Sequence, residues 1–384
     1  MTRPLVAIDA RYVRERPSGI GAMVQALLER VPALLPEVDF LLLTHPRAPR
    51  PLTTFAHVRE VTVAAEANGP VTLLALPRVV DLSGVDLFHA PFNIRPVGLR
   101  CRTLTTVHDV MWLAEPQLCR SPGPWGWVET LFYGRGIWQA LRGSTRLVAV
   151  SEATRQAIAA LDPAAAARTE VIRHGLDPDF RPALSPAEHG AIAAARHRYA
   201  PGAARFVLTV GQAVPYKNHR RVVEAFAQAF RGDGATHLVL VQRLGHEARE
   251  LLELARQGGV DGQVHIQPAV PFADLLALYR GALALCHPSL TEGWGMPVGE
   301  ALGCGCPVVT SNRSAMPEVC GEACLTADPT DPAAIAAALR RLRDDERLRE
   351  RLREAGLARA RELRWDTAAQ QHAALYRAML SSPV

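Results

Sequence analysis

Short apolar runs that alternate with longer amphipathic stretches are the feature that most restricts the fold of this chain. Parallel sheets with helices on both faces bury each strand on both sides, so their strands read as nearly continuous apolar runs. The alternation therefore predicts an α/β fold with doubly wound parallel sheets. The runs interpreted as buried strands lie at 6–9, 40–43, 87–89, 104–107 and 147–150 in the first half, and at 206–210, 238–241, 264–266 and 307–309 in the second.

The length of the chain, 384 residues, is sufficient for two domains, each with its own core. Pro, Ala and His dominate a break in composition near 178–201, and we place the domain boundary there. Two doubly wound domains that face each other would bind a ligand in the cleft between them, outside the carboxyl ends of their strands.

The segment 287–309 combines a glycine-punctuated loop with signals for a strand before it and a helix after it. The apolar run at 282–286 predicts the strand, and Pro297 suits the first turn of the helix. The N–H groups of such a loop and of a helix N-terminus bind anions without a metal. Glu292 and Glu300 flank this site; they would repel a phosphate but can accept hydrogen bonds from the hydroxyls of a sugar beside it.

Lys217 is the only lysine of the chain, whose other basic residues, among 43 Lys and Arg, are all arginine. It follows the predicted strand 206–210 closely. Lysine is a compact point charge, whereas arginine is a wide planar fork. A single lysine in a chain so rich in arginine predicts that Lys217 lies in a narrow site and binds one phosphate oxygen. The alternative is that Lys217 is a surface residue whose retention is due to chance.

Composition and charge exclude several classes of protein. The net charge of +5 is spread over both halves of the chain, which argues against a nucleic-acid-binding surface. No apolar run reaches transmembrane length, and the N-terminus leads into a strand rather than a signal peptide, so we expect a cytoplasmic protein. Cys304 and Cys306 have no Cys or His pair at zinc spacing, and we expect reduced, buried cysteines there.

These motifs together resemble the retaining glycosyltransferases of family 4. Glu292 to Glu300 matches the family's Glu-x7-Glu motif, and Lys217-Asn218 resembles its phosphate-binding position. Lesser similarities follow in order over nearly the whole chain, at 106–109, 150–152, 171–177, 310–312, 316–319 and 365–376.

The resemblance implies the GT-B architecture, an α/β fold in which two doubly wound Rossmann-like domains face each other across a cleft. Residues 1–180 would form the N-terminal acceptor-binding domain, and residues 181–364 the C-terminal nucleotide-sugar-binding domain. Residues 365–384 would form a C-terminal helix that crosses back to the N-terminal domain.

The resemblance also assigns roles to individual residues. Glu300 would bind the ribose hydroxyls of the nucleotide, Glu292 the hydroxyls of the donor sugar, and Lys217 the leaving diphosphate. His108, at the end of a predicted strand, would face the sugar ring, whereas His89 stays open between a similar role and a structural one. The donor-binding residues implied besides these are Gly19, Gly21, Gly211, Gly293, Trp294, Gly295 and Met296.

The chain departs from the family pattern beside Lys217. The family usually carries an arginine in the few residues before the lysine, but here those positions hold Gln212 and Tyr216. A tyrosine supplies no positive charge. The candidates to replace the missing phosphate contact are Arg220, Arg221 and Arg243.

Charge development in the reaction suggests how the site would work. Cleavage of a glycosyl–phosphate bond leaves negative charge on the diphosphate, which Lys217 and the helix N-terminus would stabilise. The family retains the anomeric configuration, and a phosphate oxygen of the leaving group would serve as the base. No cofactor and no metal are expected: the sequence 177–179, Asp-Pro-Asp, resembles the Asp-x-Asp metal site of another transferase architecture but is interpreted as a turn.

An aromatic segment at 111–141 follows His108-Asp109 and would border the acceptor side of the cleft. We interpret it as a packed amphipathic helix, with an acceptor platform as the alternative, because sugars stack on Trp and interfacial Trp suits lipid-linked acceptors. The tentative acceptor residues are Asp109, Trp112, Trp125 and Trp127. Weak, reversible contact of the protein with the inner face of the membrane is expected through the last two.

The sequence thus predicts transfer of a hexose, with mannose as one candidate, from a donor such as GDP-mannose or a UDP-sugar to a glycan or lipid-linked acceptor in polysaccharide assembly. Three alternatives of similar architecture remain: a nucleotide-sugar epimerase, a sugar phosphorylase, and a catalytically weak partner subunit that binds nucleotide-sugar. A phosphorylase would require a lysine for pyridoxal phosphate, and the single lysine already lies at the nucleotide-phosphate position.

Overall fold

A computed structural model describes residues 3–14, 19–242 and 247–381 of this protein. The chain forms two compact units: Met1–Gly175 together with Arg364–Val384, and Leu176–Leu363. The sequence predicted boundaries after residues 180 and 364.

The first unit is built on a parallel sheet. Its strands are β1 (Leu5–Asp9), β2 (Asp39–Thr44), β3 (Val58–Thr62), β4 (Leu87–Ala90), β5 (Arg102–Val107), β6 (Arg146–Ala149) and β7 (Thr169–Val171). Its helices up to Gly175 are α1 (Gly19–Leu28), α2 (Val31–Leu34), α3 (Pro70–Val79), α4 (Met111–Ala114), α5 (Pro124–Gly143), α6 (Glu152–Leu161) and α7 (Pro163–Ala166). Among the described residues the strand order is β3-β2-β1-β4-β5-β6-β7.

The second unit repeats this plan. Its strands are β8 (Arg205–Val210), β9 (Thr236–Val241), β10 (Val264–Gln267), β11 (Ala284–His287), β12 (Val308–Ser311) and β13 (Leu325–Ala327), in the order β10-β9-β8-β11-β12-β13 within the part of the chain that the structure covers. Its helices are α8 (Pro186–Tyr199), α9 (His219–Phe230), α10 (Glu247–Gly258), α11 (Phe272–Gly281), α12 (Met296–Gly303), α13 (Met316–Cys320), α14 (Pro332–Asp344) and α15 (Glu346–Ala360).

Both sheets pair their strands in parallel, which confirms the predicted α/β class. The apolar runs became buried strands because helices cover both faces; in β11, for example, all four residues are buried. Strands β3 and β13 gave no apolar run in the sequence. Both lie at sheet edges and are partly exposed, so their sequences did not need to be continuously apolar.

Each sheet has a switch point where the direction of winding reverses, between β1 and β4 in the first unit and between β8 and β11 in the second. Ligands of open α/β sheets bind in the crevice outside the carboxyl ends of the strands at such a point. In the second unit, Lys217 follows β8 and the loop 288–295 follows β11. The fold therefore places the lysine and the glycine-rich loop at the same edge.

The last helix, α16 (Trp365–Ser381), packs against the first unit. Arg30 Nε donates to Asp366 Oδ1 at 2.9 Å near the start of the helix. Deeper inside, the hydroxyl of Tyr376 lies 2.6 Å from His89 Nδ1, and His89 Nε2 lies 2.9 Å from Thr106 Oγ1. Burial lowers the pKa of His89 well below its ordinary value, so the ring is neutral. This network makes His89 a structural residue.

The Tyr376→Phe substitution is expected to reduce the free energy of unfolding by about 1–3 kcal/mol, because a ring nitrogen of His89 would stay buried without a partner. Denaturant unfolding at neutral pH measures this. The control is Tyr133→Phe, since the hydroxyl of the half-buried Tyr133 has, among the residues that the structure describes, one long hydrogen bond, accepted from Asn68 Nδ2 at 3.4 Å. Equal losses in the two variants would contradict a specific bond between Tyr376 and His89.

Candidate active site

Lys217 and Glu292 form an ion pair at the switch point of the second unit. Lys217 Nζ donates to Glu292 Oε1 at 2.5 Å, although the two residues are 75 positions apart in the sequence. Their side chains are 11% and 10% exposed. The residues at this edge of the sheet therefore hold one positive and one negative charge in a nearly dry environment.

Glu292 Oε1 also accepts hydrogen bonds from His287 Nε2 at 3.1 Å and from Ser289 Oγ at 2.9 Å. Burial raises the pKa of Glu292, but the charge of Lys217 and the contact with His287 outweigh it and lower that pKa to about 2. Among the described residues, none donates to Oε2. The carboxylate is thus ionised, held by one oxygen, and able to accept a hydroxyl hydrogen bond with the other.

The stem of Lys217 runs along Gly211 at the end of β8. A Cβ atom at position 211 would lie 3.3 Å from Lys217 Cδ and 3.5 Å from His219 Nε2. A side chain at position 211 would therefore crowd the stem of Lys217, and the narrowness of the site around the ammonium group remains a prediction.

Asn218 fixes the turn that carries Lys217. Its backbone is left-handed, with φ of 62°, a conformation that asparagine tolerates better than most residues. The Asn218 side chain donates to the carbonyl oxygens of Pro288 at 2.9 Å and Pro329 at 2.7 Å. These bonds tie the lysine-bearing turn to the loop that carries Glu292.

Glu300 lies on α12, and its Oε2 accepts a hydrogen bond of 2.7 Å from the hydroxyl of Tyr279 on α11. Burial raises the pKa of Glu300 to about 7, and the hydrogen bond from Tyr279 and the charge of Lys217 offset only part of that rise. Its protonation state consequently changes near neutral pH in the absence of ligand.

The loop between Glu292 and α12 depends on glycine. Gly295 has φ of +100°, and a Cβ atom there would lie 2.2 Å from Met316 Cε. Trp294 is buried, and α12 begins at Met296 with proline in its first turn. The first N–H groups of a helix lack intrahelical partners, so α12 directs its N-terminus at this loop as an anion site requires.

His108 belongs to the first unit, just after β5, and is half-buried. Its Nε2 donates to the carbonyl oxygen of Pro91 at 2.9 Å, and its backbone N–H donates to Asn93 Oδ1 at 2.7 Å. Burial lowers the pKa of His108 to about 4, so the ring is neutral at pH 7. With Nε2 protonated, Nδ1 can accept a hydrogen bond from a hydroxyl.

Gly19 and Gly21 lie in the first turn of α1, the helix that follows β1 at the switch point of the first unit. Ser18, which precedes them in the predicted motif, lies outside the described residues. Their contact with a phosphate remains a prediction.

The aromatic segment is a packed helix only in part. Ile137 and Leu141 of α5 belong to the core of the first unit, as the packed interpretation predicts. Trp125 and Trp127, however, are each 66% exposed, so that interpretation is wrong for these two residues. Helical periodicity could not show this, because apolar residues lie on more than one face of α5.

The other tentative acceptor residues lie on or next to α4. Trp112 stacks on Tyr133, with ring centroids 4.6 Å apart. Asp109 Oδ1 accepts a hydrogen bond of 3.0 Å from the backbone of Met111. Whether either contacts an acceptor remains a prediction.

Arg221 is the arginine that the structure brings toward Lys217, since its Nη1 donates to Asn218 Oδ1 at 3.0 Å. Arg220 instead pairs with Glu224 on an exposed surface, at 3.2 Å. Arg243 lies outside the described residues. Which of the three arginines replaces the missing phosphate contact remains a prediction.

Sequence reasoning gave no role to His287 and Ser289, which hold Glu292, or to Tyr279, which holds Glu300. It also gave no role to Gln242, which is 2% exposed, directly follows β9 and places its carboxamide beside His219. His287 and Gln242 shared one detectable signal: each polar residue ends or follows an apolar run that predicted a strand.

The segment 177–179 is a turn, in which the backbone of Asp179 donates to Asp177 Oδ1 at 2.9 Å. The described residues contain no group of three or more His, Cys, Asp or Glu side chains placed to hold a metal ion. Cys304 and Cys306 are buried free thiols. No described helix is both long enough and apolar enough to span a bilayer.

Two family models match the chain, one in each half. Residues 17–180 match the model for Glycosyltransferase Family 4, and residues 196–359 match the model for Glycosyl transferases group 1. Together they cover most of the chain.

The curated relatives that the chain resembles are named as glycosyltransferases. The chain is 29% identical to the O-antigen chain mannosyltransferase B of Escherichia coli, over 74% of this chain and 72% of that protein. It is 33% identical to the D-inositol 3-phosphate glycosyltransferase of Thermomonospora curvata, over 60% of this chain and only 56% of that protein.

Solved structures share the fold. The sucrose-phosphate synthase of Thermosynechococcus elongatus superposes with a TM-score of 0.75 at 20% identity, covering 100% of both chains. Anabaena HepE in complex with UDP-glucose gives a TM-score of 0.69 at 17% identity, covering 98% of this chain and 99% of HepE. At such identities the similarity shows the fold alone.

Proposed function

Because this chain belongs to the group 1 and family 4 glycosyltransferases, which have the GT-B fold, we propose that it moves a hexose from a nucleoside-diphosphate sugar to a glycan or lipid-linked acceptor with retention of configuration. The observation that carries the proposal is the ion pair of Lys217 and Glu292 beside the glycine-rich loop. A cation, a carboxylate and a helix N-terminus together suit a sugar joined to a diphosphate.

In this mechanism, Lys217 serves the leaving group. When a diphosphate enters, Lys217 Nζ can turn from Glu292 to a phosphate oxygen, because lysine has three donors on a flexible stem. The N-terminus of α12 adds a second positive field. Both stabilise the negative charge that develops as the glycosyl bond breaks, in surroundings where water screens little.

The two glutamates serve the rest of the donor. Oε2 of Glu292 accepts a hydrogen bond from a hydroxyl of the sugar. Oε1 of Glu300 accepts a hydrogen bond from a ribose hydroxyl, while Oε2 of Glu300 accepts the one from Tyr279. A phosphate oxygen of the leaving group takes the proton of the acceptor hydroxyl. His108 accepts a hydrogen bond from the sugar through Nδ1.

For the donor, mannose is the first candidate, because the similar protein of E. coli is named a mannosyltransferase. A UDP-sugar is the second, because the similar HepE was solved with UDP-glucose. GDP-mannose and UDP-glucose are therefore the donors to compare.

The proposed function is tested by incubating the protein with each nucleotide-sugar and measuring the release of free nucleotide, with and without lipid or glycan extract. Transfer predicts release that an acceptor fraction increases, and a product with the donor's anomeric configuration. Conversion of the donor sugar without nucleotide release would indicate an epimerase. Binding without turnover of any donor would indicate the partner subunit, and phosphate-dependent activity a phosphorylase.

Activity is expected to survive EDTA, because Lys217 and α12 supply the positive charge that a metal provides in Asp-x-Asp enzymes. Nucleotide release before and after chelation measures this, with Asp179→Ala as the accompanying variant. A strict requirement for Mg²⁺ or Mn²⁺ that disappears in Asp179→Ala would contradict the turn interpretation of Asp177 and Asp179.

We also propose that the protein works in the cytoplasm, in weak contact with the inner face of the membrane. The high exposure of Trp125 and Trp127 supports this, since tryptophan prefers the lipid interface. Flotation with anionic vesicles, compared between the wild type and the Trp125→Ala/Trp127→Ala variant, tests it. Failure of the wild type to float would refute membrane contact.

A further inference from the structure

Helix α5 turns an apolar stripe toward solvent. Trp127, Val128 and Leu131 are 66%, 51% and 72% exposed, and their spacing places them on one face of the helix. Arg135 is exposed and continues the stripe one turn later. A helix of a globular protein ordinarily turns its polar face to water, so the exposed apolar face of α5 requires an explanation.

Beside this stripe lies a groove of about 720 Å³, formed within the first unit by α4, α5 and the residues that follow α4. Its volume falls within the range of small-molecule sites. The side chains that give it its character are Trp112, Leu131, Trp138, Arg135 and Arg142.

The lining of the groove does not suit a sugar. Sugar hydroxyls are bound by carboxylates and carboxamides, and the residues that line the groove include no Asp, Glu, Asn or Gln. Thr130 is its hydroxyl residue, and its Oγ1 already donates to the carbonyl oxygen of Gly126 at 2.8 Å. The floor therefore offers apolar and aromatic surface.

The charged side chains that line the groove, Arg135 and Arg142, are both positive. Arg135 forms no ion pair with any described residue. Arg142 lies over the ring of Trp138, 4.4 Å from its centroid, and its side chain is 71% exposed. The acidic partner of Arg142, Asp162, is 3.8 Å away, a loose contact that leaves guanidinium donors for a ligand.

We propose that this groove binds one anionic lipid, with the hydrocarbon chain against Trp112, Leu131 and Trp138 and the phosphate at Arg135 and Arg142. The occupant follows from complementarity: an apolar floor with two cations fits an apolar chain that ends in a phosphate. The inference rests on the proposed function, because a lipid-linked acceptor has this chemistry. It gives the acceptor's lipid a site within the first unit.

The probe is dodecyl phosphate below its micelle concentration, and tryptophan fluorescence of the full-length protein reports its binding. Wild type is expected to bind it saturably, and Leu131→Glu to bind it about tenfold more weakly or worse, because a carboxylate on the floor repels both chain and phosphate. Leu184→Glu is the matched control: Leu184 is 75% exposed in the second unit, and its replacement should leave binding unchanged.

A second variant keeps the test decisive if Leu131→Glu loses thermal stability. Arg135→Gln is expected to weaken dodecyl phosphate but not neutral dodecyl maltoside. Inorganic phosphate alone should not compete with dodecyl phosphate for the groove. Vesicles of phosphatidylglycerol should lower the binding of dodecyl phosphate, because they either take up the probe or supply lipid to the same groove.

Several results would overturn the inference: no saturable binding of monomeric dodecyl phosphate, equal binding by Leu131→Glu and Leu184→Glu, or binding to vesicles alone, which would make the face a membrane-contact surface instead. Nucleotide release from the donor is measured separately on the wild type without lipid. A wild type that releases nucleotide but binds no lipid phosphate refutes this inference only, whereas one that turns over no donor refutes the proposed function.

Discussion

Replacement of Lys217 by alanine is expected to lower the rate of sugar transfer by about 10²–10³-fold or more, the usual loss when one preorganised group that stabilises transition-state charge is removed. No other lysine exists to take its place, and Tyr216 beside it carries no positive charge. Measurement of kcat and KM for nucleotide release should show a fall mainly in kcat, because the diphosphate, already anionic in the bound donor, gains a further negative charge as the bond breaks.

The Lys217→Arg variant separates charge from shape. Arginine keeps the charge, but its planar fork is wider than an ammonium group, and the stem of Lys217 already passes Gly211 so closely that a Cβ atom there would lie 3.3 Å from Lys217 Cδ. We therefore expect severe impairment here too. Arg256→Ala is a control for the loss of a basic residue, since Arg256 is exposed and pairs locally with Glu253. Near-normal kinetics of Lys217→Arg would refute the narrow-site argument.

Loss of activity in Lys217→Ala must be distinguished from loss of folding. Removing one partner of a buried ion pair leaves the other charge uncompensated, which costs about 3–5 kcal/mol in known cases. The double variant Lys217→Ala/Glu292→Gln removes both charges and should recover much of the free energy of unfolding while staying inactive. Recovery of activity along with stability would show that Lys217 acts only through folding.

Nucleotide affinity is expected to rise between about pH 6 and pH 8, by roughly tenfold, as Glu300 loses its proton. Burial holds the pKa of this carboxyl at about 7, so the neutral form predominates on the acid side. A carboxylate accepts hydroxyl hydrogen bonds more strongly than a carboxylic acid does. Titration calorimetry with a nucleoside diphosphate at several pH values measures the effect.

Glu300→Gln is the matched control for this pH dependence. Its carboxamide can keep the bond to Tyr279 but does not titrate, so affinity should be weak and should follow only the ligand's own ionisation. Subtracting the pH dependence of the variant's binding free energy from that of the wild type removes the contribution of the ligand's ionisation. An identical pH dependence in both proteins would show that Glu300 does not bind the nucleotide.

The same pKa shift has a consequence for stability with a definite sign. The pKa of Glu300 is about 7 in the folded protein against 4.5 ordinarily, so between these values the folded state binds more protons than the unfolded state. The contribution of Glu300 to stability therefore falls as pH rises through this window. Above about pH 7, ligand-free Glu300→Gln should be more stable than the wild type, as thermal unfolding can show.

The sequence by itself determined the fold class and predicted the charged residues of the candidate site. Strands such as β8 and β11 could be predicted because burial on both faces requires a continuous apolar run. The edge strands β3 and β13 do not have this requirement, so their sequences did not predict them. Gly295 was predicted to lie in a loop, and the structure explains why it is glycine: its φ of +100° strains any other residue, and a Cβ atom there would lie 2.2 Å from Met316 Cε.

Only the tertiary structure decided how these groups interact. Lys217 and Glu292 meet because β8 and β11 are neighbours in the sheet, and which oxygen of Glu292 is occupied depends on His287 and Ser289. The pKa values of Glu292 and Glu300 separate, to about 2 and about 7, because one buried carboxylate has a cation beside it and the other has a phenol. Burial and charge at a site are sums over neighbours from distant segments, and local sequence patterns do not contain those neighbours.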